Sequence, residues 1–132
     1  MIKFPAFMLA AILAAPAIAA PSAKLPALED QVHCALVFGE ITRQQSSGVP
    51  GADRFPVMAK SGREFFVRTG ARSLDDKATT IEGIEAYFVS RLGTLQDSLA
   101  KATDPGAALD REYAACVPQF AAVAPEFTPP AR

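Results

Sequence analysis

Tryptophan is absent, histidine occurs once, at His33, and cysteine twice, at Cys34 and Cys116. A single imidazole excludes the paired or triple histidine sites on which most zinc enzymes depend. Covalent haem needs Cys-x-x-Cys-His, but these cysteines stand 82 positions apart and His33 precedes Cys34. An excess of one charge is missing too: 13 lysines and arginines face 14 aspartates and glutamates, for a formal net charge of −1. That balance lacks the concentrated positive field that nucleic acid requires. Glycine-rich phosphate loops, calcium loops and clustered carboxylates are lacking, and no serine sits in a nucleophile-elbow pattern. No segment alternates apolar and polar residues long enough to form a strand, and no internal repeat is visible.

The chain is also short of long hydrophobic runs. The uncharged stretch from Phe4 to Ala15 falls below the roughly 20 residues of a spanning helix, and Pro16 interrupts it. Lys3 precedes this stretch and Ala17-Ile18-Ala19-Ala20 follows it. A cationic start, an apolar centre and small residues at a cleavage site are the three parts of a secretory signal peptide. Cleavage after Ala19 or after Ala20 satisfies the small-residue requirement equally. Residues 1–20 are therefore expected to be removed on export to the periplasm of a Gram-negative cell, leaving no stable membrane span. No cysteine stands just after the cleavage region, the first being Cys34, so a lipoprotein anchor has no acceptor thiol. What remains suits one domain, residues 21–122, followed by a proline-rich tail at 123–132 that is expected to be extended and flexible.

Two cysteines in an exported chain are expected to pair as a structural disulfide, Cys34 to Cys116. The chain-entropy model assigns a loop of that length about 4–5 kcal/mol of stabilisation.

What is present is helical periodicity. Pro26 suits a helix entry, and from Glu29 to about Gln45 only Gly39 interrupts good helix formers. Apolar residues surround this segment almost completely, which predicts a central helix touched by several neighbours. Ser46 to Ala52 is the clearest loop. Asp53 is expected to cap a second helix, with Pro56 in its first turn and Gly70 ending it after Thr69. Ile81, Ile84, Phe88, Leu92, Leu95 and Leu99 follow at spacings of three and four, predicting a straight third helix capped from Ser73 or Thr79/Thr80. Asp104-Pro105 opens a fourth, with Leu109, Tyr113 and Cys116 on one face and Pro118 ending it. The expected fold is all-α: a small bundle of about four helices closed by one disulfide.

Few residues suggest chemistry. His33 lies one turn after Glu29, so a carboxylate–imidazole pair on a solvated face is the simplest account. A pH-sensitive role for His33 and Glu29 would require His33 to be partly buried. Arg54, Lys60, Arg63, Arg68 and Arg72 stand against Glu64 alone around the second helix, a candidate surface for an anionic partner. Met58, in an apolar setting near Phe88 in the predicted bundle, suggests a second role: a carrier of haem or another small ligand in the interior. Of the adjacent aromatics Phe65-Phe66 and Tyr87-Phe88, only one member of each pair can point fully inward. No acid, base and nucleophile are seen to converge, so no catalytic residue, metal or resident cofactor is assigned. The expected function is that of an exported, non-enzymatic binding or stress-related protein acting on a periplasmic protein or an anionic envelope surface.

Overall fold

The computed structural model describes residues 24–77 and 79–130. The expected signal peptide and its cleavage sites lie outside the described residues.

The first helix, α1, spans Leu28–Ser46 and starts directly after Pro26 and Ala27. Glu29 and Asp30 in its first turn and Arg43 in its last complement the helix dipole. Its end is set by backbone geometry: Val49 N–H donates to Gln44 O and Gly48 N–H to Gln45 O. This reciprocal pair needs a left-handed residue between helix and exit, and Gly48 supplies it at φ 65°. Val32, the run Cys34 to Phe38, and Ile41 are all buried, so α1 is the central helix that its apolar circumference predicts.

The second helix departs from expectation. Asp53 does not open it; Ala52–Arg54 form one 3-10 turn, and the chain then extends through Pro56 before α2 begins at Ser61 and runs to Lys77. Two forces explain the shift. Proline pushes the residue before it out of helical geometry, and Phe55 accordingly sits at φ −87°, ψ 151°. The Gln45 side chain of α1 then holds the extended segment, donating to Ala52 O, Phe55 O and Pro56 O and accepting from Met58 N–H. Phe55 and Met58 thereby enter the core from a non-helical segment. At the other end, α2 passes through Gly70 without stopping. Gly62 lies where α2 crosses α1 closely: a Cβ there would stand 3.3 Å from Phe38 Cβ.

Helix α3 spans Ile81–Lys101, with the Thr80 hydroxyl accepting from Gly83 N–H as the cap. Ile84, Phe88, Leu95 and Leu99 of the expected stripe are buried, while Ile81, at its first position, remains exposed. Helix α4 spans Pro105–Cys116, and the Asp104 carboxylate accepts from Ala107 N–H. Leu109, Tyr113 and Cys116 face inward. The Cys34–Cys116 disulfide forms and ties α4 to α1. The protein is thus a small all-α bundle closed by one disulfide, with no strand among the described residues. No described helix is long and apolar enough to cross a membrane.

The C-terminal stretch is not extended as its prolines suggest. Pro118 sits within a 3-10 turn over Val117–Gln119, the four-residue helix α5 covers Phe120–Val123, and a further 3-10 turn spans Pro125–Phe127. Phe120, Val123 and Ala124 are buried, so the apolar residues between the prolines dock this segment on the bundle. Proline fits such short turns because the first positions of a helix need no N–H partner.

An aromatic cluster occupies the centre. The Phe38 ring lies 5.0 Å from Phe65, 4.8 Å from Phe120 and 6.3 Å from Tyr113. Of each adjacent aromatic pair one member points inward: Phe65 is fully buried and Phe66 partly exposed, while Phe88 is more buried than Tyr87.

Candidate functional site

Successive residues of α2 turn by about 100°, which sorts its cations into different settings. Ser73, Thr69, Phe65 and Gly62 form its inner face. Arg68 and Arg72 fall on one flank, whereas Arg63 and Val67 are exposed, as is Lys60 in the turn just before the helix. Arg54 is not on the helix at all.

Three of the five candidate cations fasten the protein to itself. Arg54 donates through Nε to Asp110, through Nη1 to Gly51 O and through Nη2 to Gly106 O, and its guanidinium covers the Phe55 ring. It anchors the 3-10 turn to α4. Arg72 donates to Gln31 Oε1 and Pro26 O, holding the entry of α1, and pairs with Asp76 at 3.3 Å. Arg68 bonds Glu64, the carbonyl of Val123 and the carboxylate of Glu126, and so clamps the C-terminal turn. That clamp holds the Glu126 carboxyl below the ordinary glutamate value and raises the arginine.

Lys60 and Arg63 remain. Both are exposed, and among the described residues neither forms an ion pair or a side-chain hydrogen bond. They line an open groove of about 520 Å³ together with Ala59, Glu64, Val67 and Phe127. Lys60 Nζ stands 5.7 Å from the centroid of the Phe127 ring, within cation–π range. Val67 is 56% exposed beside them. Sequence reasoning found the cations of this groove but missed its aromatic wall, because Phe127 arrives from the docked C-terminal segment.

His33 and Glu29 do not pair. His33 Nε2 lies 2.6 Å from Glu112 Oε2 on α4, one turn before Cys116, so the imidazole is half-buried between two helices. Glu29 instead accepts from the Tyr87 hydroxyl of α3 and lies 3.5 Å from Lys77 and 3.7 Å from Arg91. The Tyr87 hydroxyl and these two cations hold the Glu29 carboxyl below its ordinary value. Burial and the adjacent Glu29 raise the Tyr87 phenol. The i,i+4 rule describes an isolated helix, and here neighbouring helices offer both side chains nearer partners.

A buried carboxylate escaped sequence reasoning altogether. Glu40, 4% exposed on α1, accepts from Arg43 Nε at 2.9 Å, Arg43 Nη2 at 2.6 Å, Gln44 Nε2 at 3.0 Å and Gln96 Nε2 at 3.4 Å. These donors, Arg43 foremost, hold its pKa below the ordinary 4.5 against the opposing effect of burial. A depressed folded pKa contributes stability above the unfolded value, and that contribution disappears as pH falls through the folded one. Glu40→Gln should therefore destabilise the protein at pH 7 by about 1–3 kcal/mol, with the difference narrowing as pH drops below that of a free glutamate. Denaturant titrations at neutral and acid pH check this, and a difference that stays constant with pH would remove the charge from the explanation.

Met58 is fully buried, with Ser61 donating to its sulfur at 3.7 Å, and Phe88 packs on Phe66 at 5.2 Å. Neither residue lines any of four surface clefts found among the described residues. No group of three or more histidine, cysteine, aspartate or glutamate side chains that could hold a metal is found among the described residues. Set against protein-family models, curated proteins and solved structures, the chain matches none of them.

Proposed function

We propose that this is an exported, periplasmic, non-enzymatic binding or stress-related protein that engages an anionic partner through the outer face of α2. The observation that carries the reading is the groove in which Lys60 and Arg63 stand without an ion pair beside Val67 and Phe127. The other three cations of the region are spent on holding the fold, so any attraction for a partner concentrates at these two. Exposed cations next to accessible apolar surface are suited to recognition, since charge steers the encounter and apolar contact retains the partner. Export is supported by the disulfide, a feature of oxidising compartments. Cys34 is engaged in the bridge and His33 on Glu112.

The test is a photo-crosslinking residue placed at position 63 and, as a control, at the exposed Asp97 of α3, in cells secreting the full-length chain. Adducts recovered from the periplasmic fraction are expected at position 63 and not at position 97. Equal labelling at both positions, or none at position 63, would sink this reading.

A further inference from the structure

We infer that the α2 groove takes an acidic peptide segment of a partner protein, extended, with an aliphatic or aromatic side chain flanked by carboxylates; this rests on the reading of α2 as the binding face. Lys60, just before the first residue of α2, and Arg63 in its first turn are three positions apart, with Val67 one turn further on. Phe127 forms the opposite wall. The groove therefore sets two cations beside an apolar patch of Val67 and Phe127, and its volume of about 520 Å³ lies within the range of ligand-holding clefts.

The carboxylates at its border do not cancel this arrangement. Glu64 and Glu126 are both held by Arg68, the latter in a pair that keeps it ionised and turned to the guanidinium. Together the border carries three cations against two carboxylates, and the two unpaired charges are positive. A peptide carboxylate entering here gains two cations without displacing an existing pair.

Charge and shape favour a peptide over an anionic bilayer. A bilayer is flat and responds to all charge within about one Debye length, roughly 8–10 Å. It would meet Glu64 and Glu126 along with the cations, on a chain whose net charge is −1. Membrane binding also needs several large apolar side chains that protrude, whereas in this groove Val67 is exposed but Phe127 is half-buried and forms a wall. An extended peptide can instead place one side chain between Val67 and Phe127 and set its carboxylates against Lys60 and Arg63.

The experiment uses the exported full chain and a short fluorescein-labelled peptide of glutamate with a central leucine pair, read by anisotropy. Saturable binding is expected, weakened about tenfold or more by Lys60→Glu/Arg63→Glu and left unchanged by Lys101→Glu on the exposed end of α3. Replacing the leucines by glycine should also weaken it, and the lysine counterpart of the peptide should not bind. Circular dichroism on each variant confirms the fold. Absence of saturable binding, or equal binding by the double variant, overturns the proposal. So does sedimentation with phosphatidylglycerol vesicles that depends on Lys60 and Arg63 when the peptide does not bind. Adducts at position 63 with no peptide binding would reject the peptide and leave the binding face standing; loss of both would reject both.

Discussion

Cys34→Ala/Cys116→Ala should lower the unfolding free energy by about 3–5 kcal/mol, a large part of the roughly 5–15 kcal/mol that holds a domain of this size. The bridge joins positions 82 residues apart, and in the chain-entropy view a loop this long restricts the unfolded chain strongly. Both sulfurs are also buried, Cys34 at 3% and Cys116 at 1% exposure, so their removal takes packed atoms from the contact of α1 with α4. Alanine is the better test residue, because serine would add the separate cost of a buried hydroxyl. The folded variant should keep its helices, since His33–Glu112 and the packing of Tyr113 on Phe38 still join α1 to α4. Urea titration should show a lower midpoint and a steeper dependence on denaturant, because an unbridged chain exposes more surface when unfolded. A loss below about 1 kcal/mol would mean that loop closure contributes little here.

The parts of the fold that sequence reasoning reached are those decided within a few residues. The stripe from Ile84 to Leu99 and the caps at Thr80 and Asp104 need no information from elsewhere in the chain, and α3 and α4 follow them. The disulfide was legible because only one intramolecular pairing exists. The start of α2 was not, because Asp53 and Pro56 satisfy the local signature of a helix opening equally well as a 3-10 turn and an extended segment. Gln45, seven to thirteen positions away, decides between them by bonding the backbone from Ala52 to Met58. The C-terminal segment misled for the reverse reason: its prolines are a strong local signal, while the burial of Phe120, Val123 and Ala124 depends on the whole bundle.

The same division runs through the candidate site. Five basic residues could be seen as a local charge excess, but their partners are distant: Asp110 for Arg54, Glu126 for Arg68 and Gln31 for Arg72. Only those partners separate structural cations from free ones. Glu40 carried one local signal, a carboxylate inside an otherwise apolar stretch with an arginine three positions later. Gln96, the donor from α3, could not be read from the chain around it.

Phe38→Ala should cost about 3–5 kcal/mol, more than any other single truncation in the aromatic cluster. The ring is fully buried and meets Phe65 of α2, Tyr113 of α4 and Phe120 of α5, so one side chain joins four elements. Removing it leaves a cavity whose walls are held by other packing and relax only partly. Phe66→Ala is the matched control: the same residue type in α2, 37% exposed, with a single ring contact to Phe88. Its expected cost is about 1 kcal/mol, and equal losses in the two variants would show that position in the core does not set the penalty. The consequence reaches the groove. Phe120 anchors α5, and α5 leads into the turn that carries Phe127. A loosened Phe120 should therefore disturb the aromatic wall while Lys60 and Arg63 stay in place at the start of α2. In the folded fraction of Phe38→Ala, affinity for the acidic peptide should fall through loss of the leucine contribution and keep its dependence on salt. If affinity and salt dependence fell together, the cations and the wall would have to be treated as one unit.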